Sequence, residues 1–150
     1  MALNEIRGTK GNDLLNGTTG DDRIRGDRGN DTLNGGDGND RLLGEKGDDV
    51  LNGGNGNDRL KGSYGDDLLT GGDGRDRFVF DLQGDDDTIT DYTDGQDKLD
   101  FTNFGIGDDA AVLALAVQDG ADVLFTMATG ETMRLLNTQL SVLDGTDILS

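Results

Sequence analysis

From Gly8 to Val79 the chain keeps a nine-residue clock without one insertion: GTKGNDLLN, GTTGDDRIR, GDRGNDTLN, GGDGNDRLL, GEKGDDVLN, GGNGNDRLK, GSYGDDLLT, GGDGRDRFV. Positions one and four are Gly in every copy. Position six is always Asp: Asp13, Asp22, Asp31, Asp40, Asp49, Asp58, Asp67 and Asp76. Position eight is always apolar: Leu15, Ile24, Leu33, Leu42, Leu51, Leu60, Leu69 and Phe78. A fixed period of this kind is the signature of a stacked-coil architecture. Composition alone points elsewhere, since 32% hydrophobic residues and a net charge of −18 suit a disordered acidic chain. Disorder does not require register, and the register here is strict.

The repeat divides by its chemistry. Six residues, G-x-x-G-x-D, make a turn, and three, x-U-x, make a short strand whose middle side chain points inward. Two repeats complete a coil, so eight give about four coils, stacked at the strand spacing of ~4.8 Å. Turns of odd repeats then pile up on one edge and turns of even repeats on the other. Each Asp sits one strand spacing from the Asp two repeats on, which makes two columns of like charge. The chain has no His and no Cys, so a cation between the turns must be held by oxygen, a donor set that favours a hard ion over zinc or copper. Position two is Gly only at Gly36, Gly54 and Gly72, which implies that it need not adopt a positive φ in every copy. One apolar side chain per nine residues is too little to offset the entropy of ordering them. The block is therefore expected to be unfolded without its cation.

This repeat resembles the nonapeptide G-G-x-G-x-D-x-U-x of the RTX (repeats-in-toxin) family. The resemblance implies an all-β fold: a right-handed parallel β-roll with Ca2+ between neighbouring turns. Its ligands would be the eight Asp of position six, with turn carbonyls near Gly8, Gly11, Gly17, Gly20, Gly26, Gly29, Gly35, Gly38, Gly44, Gly47, Gly53, Gly56, Gly62, Gly65, Gly71 and Gly74. Pairing each repeat with the one two places on gives about six inter-turn sites. The ends divide accordingly: an N-terminal capping strand over 1–7 with Ile6 in register, the repeats over 8–79, and a capping and secretion-signal region over 80–150. Residues 84–101 resemble the segment after the repeats in serralysin-type proteases and other type I secreted proteins. By that resemblance Asp87, Asp91 and Asp100 are candidate ligands for a last calcium. Asp108 is positioned to N-cap a short helix over 109–117. Asp122–Thr126 and Thr132–Leu136 read as a hairpin. The end, Asp147-Ile148-Leu149, is similar to the C-terminal signals read by type I ABC exporters.

A second period hides within the first. Position seven is Arg23, Arg41, Arg59 and Arg77 in even repeats, with Arg25 and Lys61 beside them. In odd repeats it is Leu14, Thr32, Val50 and Leu68, next to a row of Asn16, Asn34, Asn52 and Thr70. Lys10, Arg28 and Lys46 add a cationic row at position three of the odd turns. From Gly8 to Val79 there are 10 Lys/Arg against 15 Asp/Glu, and from Phe80 to Ser150 there are 2 against 15. Filling the sites with Ca2+ would make the repeats basic while the tail stays acidic. The Arg ladder suits an extended polyanion, and the chain resembles the alginate-binding R-modules of mannuronan epimerases; equally, charge on a sheet face blocks unwanted pairing. Overall acidity argues against nucleic acid. The longest apolar run, Ala110–Val117, is far too short for stable membrane insertion. No catalytic group stands out. The expectation is a secreted, non-catalytic, calcium-binding module that folds after type I export, with anionic polysaccharide binding as the alternative.

Overall fold

The computed structural model describes residues 3–81 and 85–150. Within the repeats, consecutive strands alternate between two sheets, and each pairs with the strand two places on. The first sheet runs, in order, β1 (Asn4–Arg7), β3 (Asp22–Arg28), β5 (Arg41–Lys46), β7 (Arg59–Tyr64), β9 (Arg77–Val79), β11 (Lys98–Asp100) and β15 (Ile148–Leu149), all parallel. The second runs β2 (Leu14–Asn16), β4 (Thr32–Asp37), β6 (Val50–Asn55), β8 (Leu68–Asp73) and β10 (Asp86–Ile89), also parallel. It continues through β14 (Thr132–Leu135), β13 (Asp122–Thr126) and β12 (Ala116–Asp119), with the last two pairings antiparallel.

The nine-residue clock sets this register. Ile6 pairs with Ile24, Ile24 with Leu42, Leu42 with Leu60 and Leu60 with Phe78. Ile24, Leu42, Leu60 and Phe78 form one buried column, with the partly buried Ile6 at its end; Leu33, Leu51 and Leu69 form the facing column from the second sheet. Most full-length repeat strands hold six residues rather than the expected three. The reason lies in the alternation of faces: Gly35 is buried beside Leu33, with Asn34 between them turned outward. The glycine of position one is thus a second inward position, and the strand runs through it.

The roll also runs on past the repeats, to about five coils. Ile89 pairs with Leu69 and Leu99 with Phe78. The clock stretches there: the Asp67 amide bonds to Asp87, 20 residues on, and the Asp76 amide to Asp97, 21 residues on. The cap has a core of a different kind. Phe101 stacks on Phe80 and meets the tilted rings of Phe104 and Phe125, with ring centroids 5.2–5.8 Å apart, and Val112, Met133 and Leu135 belong to the same core. Asp108 does N-cap the helix, its carboxylate accepting from the Ala110 amide at 3.0 Å. That helix, α1, covers only Asp109–Leu113, because Ala116–Asp119 instead joins the hairpin as β12. No helix among the described residues is long and apolar enough to cross a membrane.

Candidate metal centre

Seven of the eight repeats hand their position-six Asp to the interior; Asp13 of the first is only partly buried. Asp22, Asp31, Asp40, Asp49, Asp58, Asp67 and Asp76 are at most 2% exposed. One carboxylate oxygen has a fixed task. The Oδ1 of Asp31 accepts from the Asp13 amide, that of Asp49 from Asp31, and that of Asp67 from Asp49, all at 2.7–2.8 Å. In the other column Asp40, Asp58 and Asp76 do the same for Asp22, Asp40 and Asp58. Each Asp therefore reaches back one coil and ties its turn to the one beneath it.

Position five makes a second ladder that reaches forward. Asn12 Oδ1 accepts from the Asn30 amide, Asn30 from Asp48, and Asp48 from Asp66. On the other edge Asp21 accepts from Asn39, Asn39 from Asn57, and Asn57 from Arg75. This explains the run of Asn and Asp at position five: each must present an acceptor. The sequence shows that signal plainly, but the stronger one at position six masks it.

The second carboxylate oxygen is the informative one. The Oδ2 atoms of Asp31, Asp40, Asp49, Asp58, Asp67 and Asp76 are buried with no hydrogen-bond partner among the described residues. A buried acceptor left unpaired costs about 1–3 kcal/mol, and more when charged. Beside each orphan lies the glycine of position one. A Cβ at Gly35 would overlap both Asp40 Oδ2 and the carbonyl oxygen of Gly53; one at Gly53 would overlap Asp58 Oδ2 and the Gly71 carbonyl. So the missing Cβ lets each carboxylate lie against the main chain of its own turn, and at Gly26, Gly35 and Gly53 a carbonyl oxygen of the next coil borders the same place. Among the described residues no three acidic side chains converge on a metal position. A cation held in such a turn would have a carboxylate and main-chain oxygens to draw on, a hard all-oxygen set of the kind that fits Ca2+.

Burial and neighbouring carboxylates raise these groups. Desolvation pushes Asp49 and Asp76 up to about 6, Asp58 to about 7 and Asp67 to about 8, each with a neighbouring Asp of its column adding to the rise. Asp31 and Asp40 shift the same way for the same reason. Asp22 differs: desolvation is its largest influence and pushes upward, but hydrogen bonds from Thr18 and Asn4 outweigh it and bring the carboxyl below its ordinary range.

The turns also differ in backbone. Position two has a positive φ in repeats three to eight, at Asp27, Gly36, Glu45, Gly54, Ser63 and Gly72, with values of 83–108°. Position two therefore does not take a positive φ in every copy, as expected, but it does so in six of the eight, and at Asp27, Glu45 and Ser63 without a glycine. Asp13 and Asp22 sit in the same columns, but their Oδ2 atoms accept from Thr9 and Thr18. Beyond the repeats, Asp87 occupies the position-six place of a ninth turn, accepting from the Asp67 amide at 3.2 Å, and burial raises it to about 7. Asp91 takes the Gly71 and Gly72 amides at 2.9 and 2.8 Å, beside the turn of Asp76. Asp97, which the nine-residue clock does not mark, holds the corresponding place in the tenth turn. Asp100 is not in a turn. It lies fully buried on the first sheet, bonded to Arg77 and Thr102, so it ends the Arg ladder.

Arg23, Arg41, Arg59 and Arg77 stand in register across four strands. Asp100 engages Arg77 at 2.7 Å and Arg59 at 3.5 Å; Arg25 pairs with Glu45 and Asp27, and Lys61 with Asp81. Among the described residues Arg23 and Arg41 form no ion pair. They flank a shallow groove of about 160 Å³, with Arg25, Arg59 and Lys61 at its border.

Solved structures resemble this fold. The extracellular lipase LipA of Serratia marcescens aligns over 100% of the chain at 18% identity and a TM-score of 0.53, a likeness of fold. The chain spans 40% of that lipase. Two subunits of the Azotobacter vinelandii mannuronan C5-epimerase lie nearer in sequence, both at 27% identity. AlgE6R2 aligns with a TM-score of 0.60 over 96% of this chain and 91% of its own. AlgE6R3 aligns with a TM-score of 0.53 over 95% and 80%. Curated protein sequences give no match. The family model of the RTX calcium-binding nonapeptide repeat matches four times, over residues 4–33, 16–51, 25–60 and 52–89. Together these matches span more than half the chain, and with the glycine turns and Asp columns they identify it as a member of the RTX calcium-binding repeat family.

Proposed function

We propose that this β-roll is a calcium-gated folding module of a secreted protein. The observation that carries the reading is the set of six buried Oδ2 atoms that have no hydrogen-bond donor among the described residues, each lying against the glycine main chain of its own turn. Ionised carboxylates in such columns repel one another; Ca2+ supplies the missing charge and links adjacent coils. Where Ca2+ is scarce the repeats stay extended and can be threaded through an exporter. Where it is abundant they close into the roll, so folding is tied to arrival outside the cell. About six ions fill the roll. The chain contributes structure rather than catalysis.

The test is a calcium titration followed by calorimetry and far-UV circular dichroism, with Mg2+ as control. Cooperative folding at about six Ca2+ supports the reading; a roll fully formed in chelator contradicts it. Export is tested apart, by deleting the last ten or so residues. That should leave calcium folding nearly intact and abolish secretion through a type I ABC exporter.

A second reading has its own observation. Arg23 and Arg41 remain without ion pairs among the described residues, beside a groove on a flat sheet, and two neighbours are subunits of a mannuronan epimerase. Such a face suits the carboxylates of an anionic polysaccharide. Short oligomannuronates titrated into the calcium-loaded protein should give salt-sensitive NMR shifts that vanish in Arg23→Ala/Arg41→Ala. Shifts that persist in that variant, or none at all, would leave the ladder as a solvated face.

A further inference from the structure

Two kinds of turn occupy the same columns, and one residue separates them. Resting on the calcium-gated reading, we infer that the sequence T-x-G-x-D is a stop turn, a self-satisfied variant that binds no Ca2+ and terminates a calcium column. It occurs at Thr9–Asp13, Thr18–Asp22 and Thr93–Asp97. In each, the Asp Oδ2 is taken by the Thr four residues before it. Thr9 donates its amide at 2.6 Å and its hydroxyl at 2.9 Å to Asp13. Thr18 donates to Asp22 at 2.6 and 3.0 Å. Thr93 donates its amide to Asp97 at 2.9 Å. In the six turns of repeats three to eight, the same oxygen has no partner among the described residues.

The cause is steric. The open turn needs a positive φ at position two, and there the chain places Gly36, Gly54, Gly72, Asp27, Glu45 and Ser63. Thr is β-branched and resists that region strongly. Thr9, Thr18 and Thr93 all keep a negative φ, and Gly11 and Gly20 at position four of the first two turns do so as well. The peptide then aims its N–H at the carboxylate, and in the first two turns the hydroxyl adds a second donor. Those hydrogens hold the lone pairs that a cation would need. Each column begins on a stop turn, at Asp13 or Asp22, and the even column also ends on one, at Asp97. The terminal coils are thereby spared a calcium site with only one wall. Asp13 and Asp22, ligands by sequence pattern, leave the ligand set.

The experiment counts calcium ions by competition with a chromophoric chelator, on the full chain. The wild type should take about six. Thr9→Gly/Thr18→Gly frees two carboxylates and should take about eight, while Ser63→Thr closes the Asp67 turn and should take about five. A wild type that binds eight or more, or variants that fold and still bind six, would overturn the assignment. Either result leaves calcium-driven folding intact, whereas a wild type that folds without binding calcium defeats the folding reading itself. Should the double glycine variant fail to fold, Ser63→Thr decides alone.

Discussion

The repeat roll and its C-terminal cap solve the same problem by opposite means. The cap gathers Phe80, Phe101, Phe104 and Phe125 with Val112 and Met133 around one apolar centre. The roll contributes one apolar side chain per repeat and devotes its remaining interior to glycine and ionisable carboxylate. Apolar burial is largely insensitive to ions and to mild changes in pH; a column of buried carboxylates is sensitive to both. Two regions joined through shared strands, β10 with β14 and β11 with β15, should therefore answer to different variables.

The largest separation should come from protons in the absence of calcium. The interior Asp residues have folded-state pKa values raised to about 6–8, against about 4 when unfolded. A carboxyl raised on folding binds its proton more tightly in the roll than in the open chain. Its cost is absent below pH ~4 and complete above the folded value, so the calcium-free roll loses stability as pH rises from ~4 to ~8. In chelator, far-UV circular dichroism should show more β structure at pH 5 than at pH 7.5. The reverse trend would mean that the carboxylates are not buried as described.

A cavity in the cap should act on stability alone. Phe125→Ala removes a fully buried ring and should cost about 3–5 kcal/mol in the calcium-loaded protein, measured by denaturant unfolding, with the number of bound ions unchanged. The next contrast sharpens the difference within the roll. Asp58→Asn keeps the Oδ1 acceptor for the Asp40 amide but discharges an open turn, so calorimetry should read one Ca2+ fewer. Asp22→Asn alters a turn already closed by Thr18 and should leave the count as it was. Smallest is the outer Asn ladder. Asn52→Ala removes one 2.8 Å side-chain bond to Asn34 and should cost about 0.5–1 kcal/mol, visible as a slight shift in thermal midpoint and in nothing else.

Much of the roll is legible in the sequence because the repeat has no insertions. The pairing of Ile6 with Ile24, the two Asp columns, the Arg and Asn rows and the β13–β14 hairpin all follow from spacing and turn chemistry. The fifth coil is harder to read, since its spacing stretches to 20 and 21 residues and Asp97 falls off the clock. Asp100 resembles a ligand because it is an acid near the last strand, yet strand parity turns it toward Arg77. Helix α1 is shorter than its apolar run suggests because that run continues into β12, and periodicity does not mark where a short helix yields to a strand. The stop turns are hidden for another reason. Thr at position two looks like a harmless departure from Gly until the sign of φ there is known.

The most direct test of the central claim is the far-UV spectrum of the full chain at neutral pH, first in chelator and then on adding Ca2+ in steps, with Mg2+ in parallel. The account predicts little β signal in chelator, a cooperative rise complete when about six ions are bound, and no comparable response to Mg2+. A full β spectrum in chelator, unchanged by calcium, would show that the roll stands on its apolar column alone, and the calcium-gated account would fail.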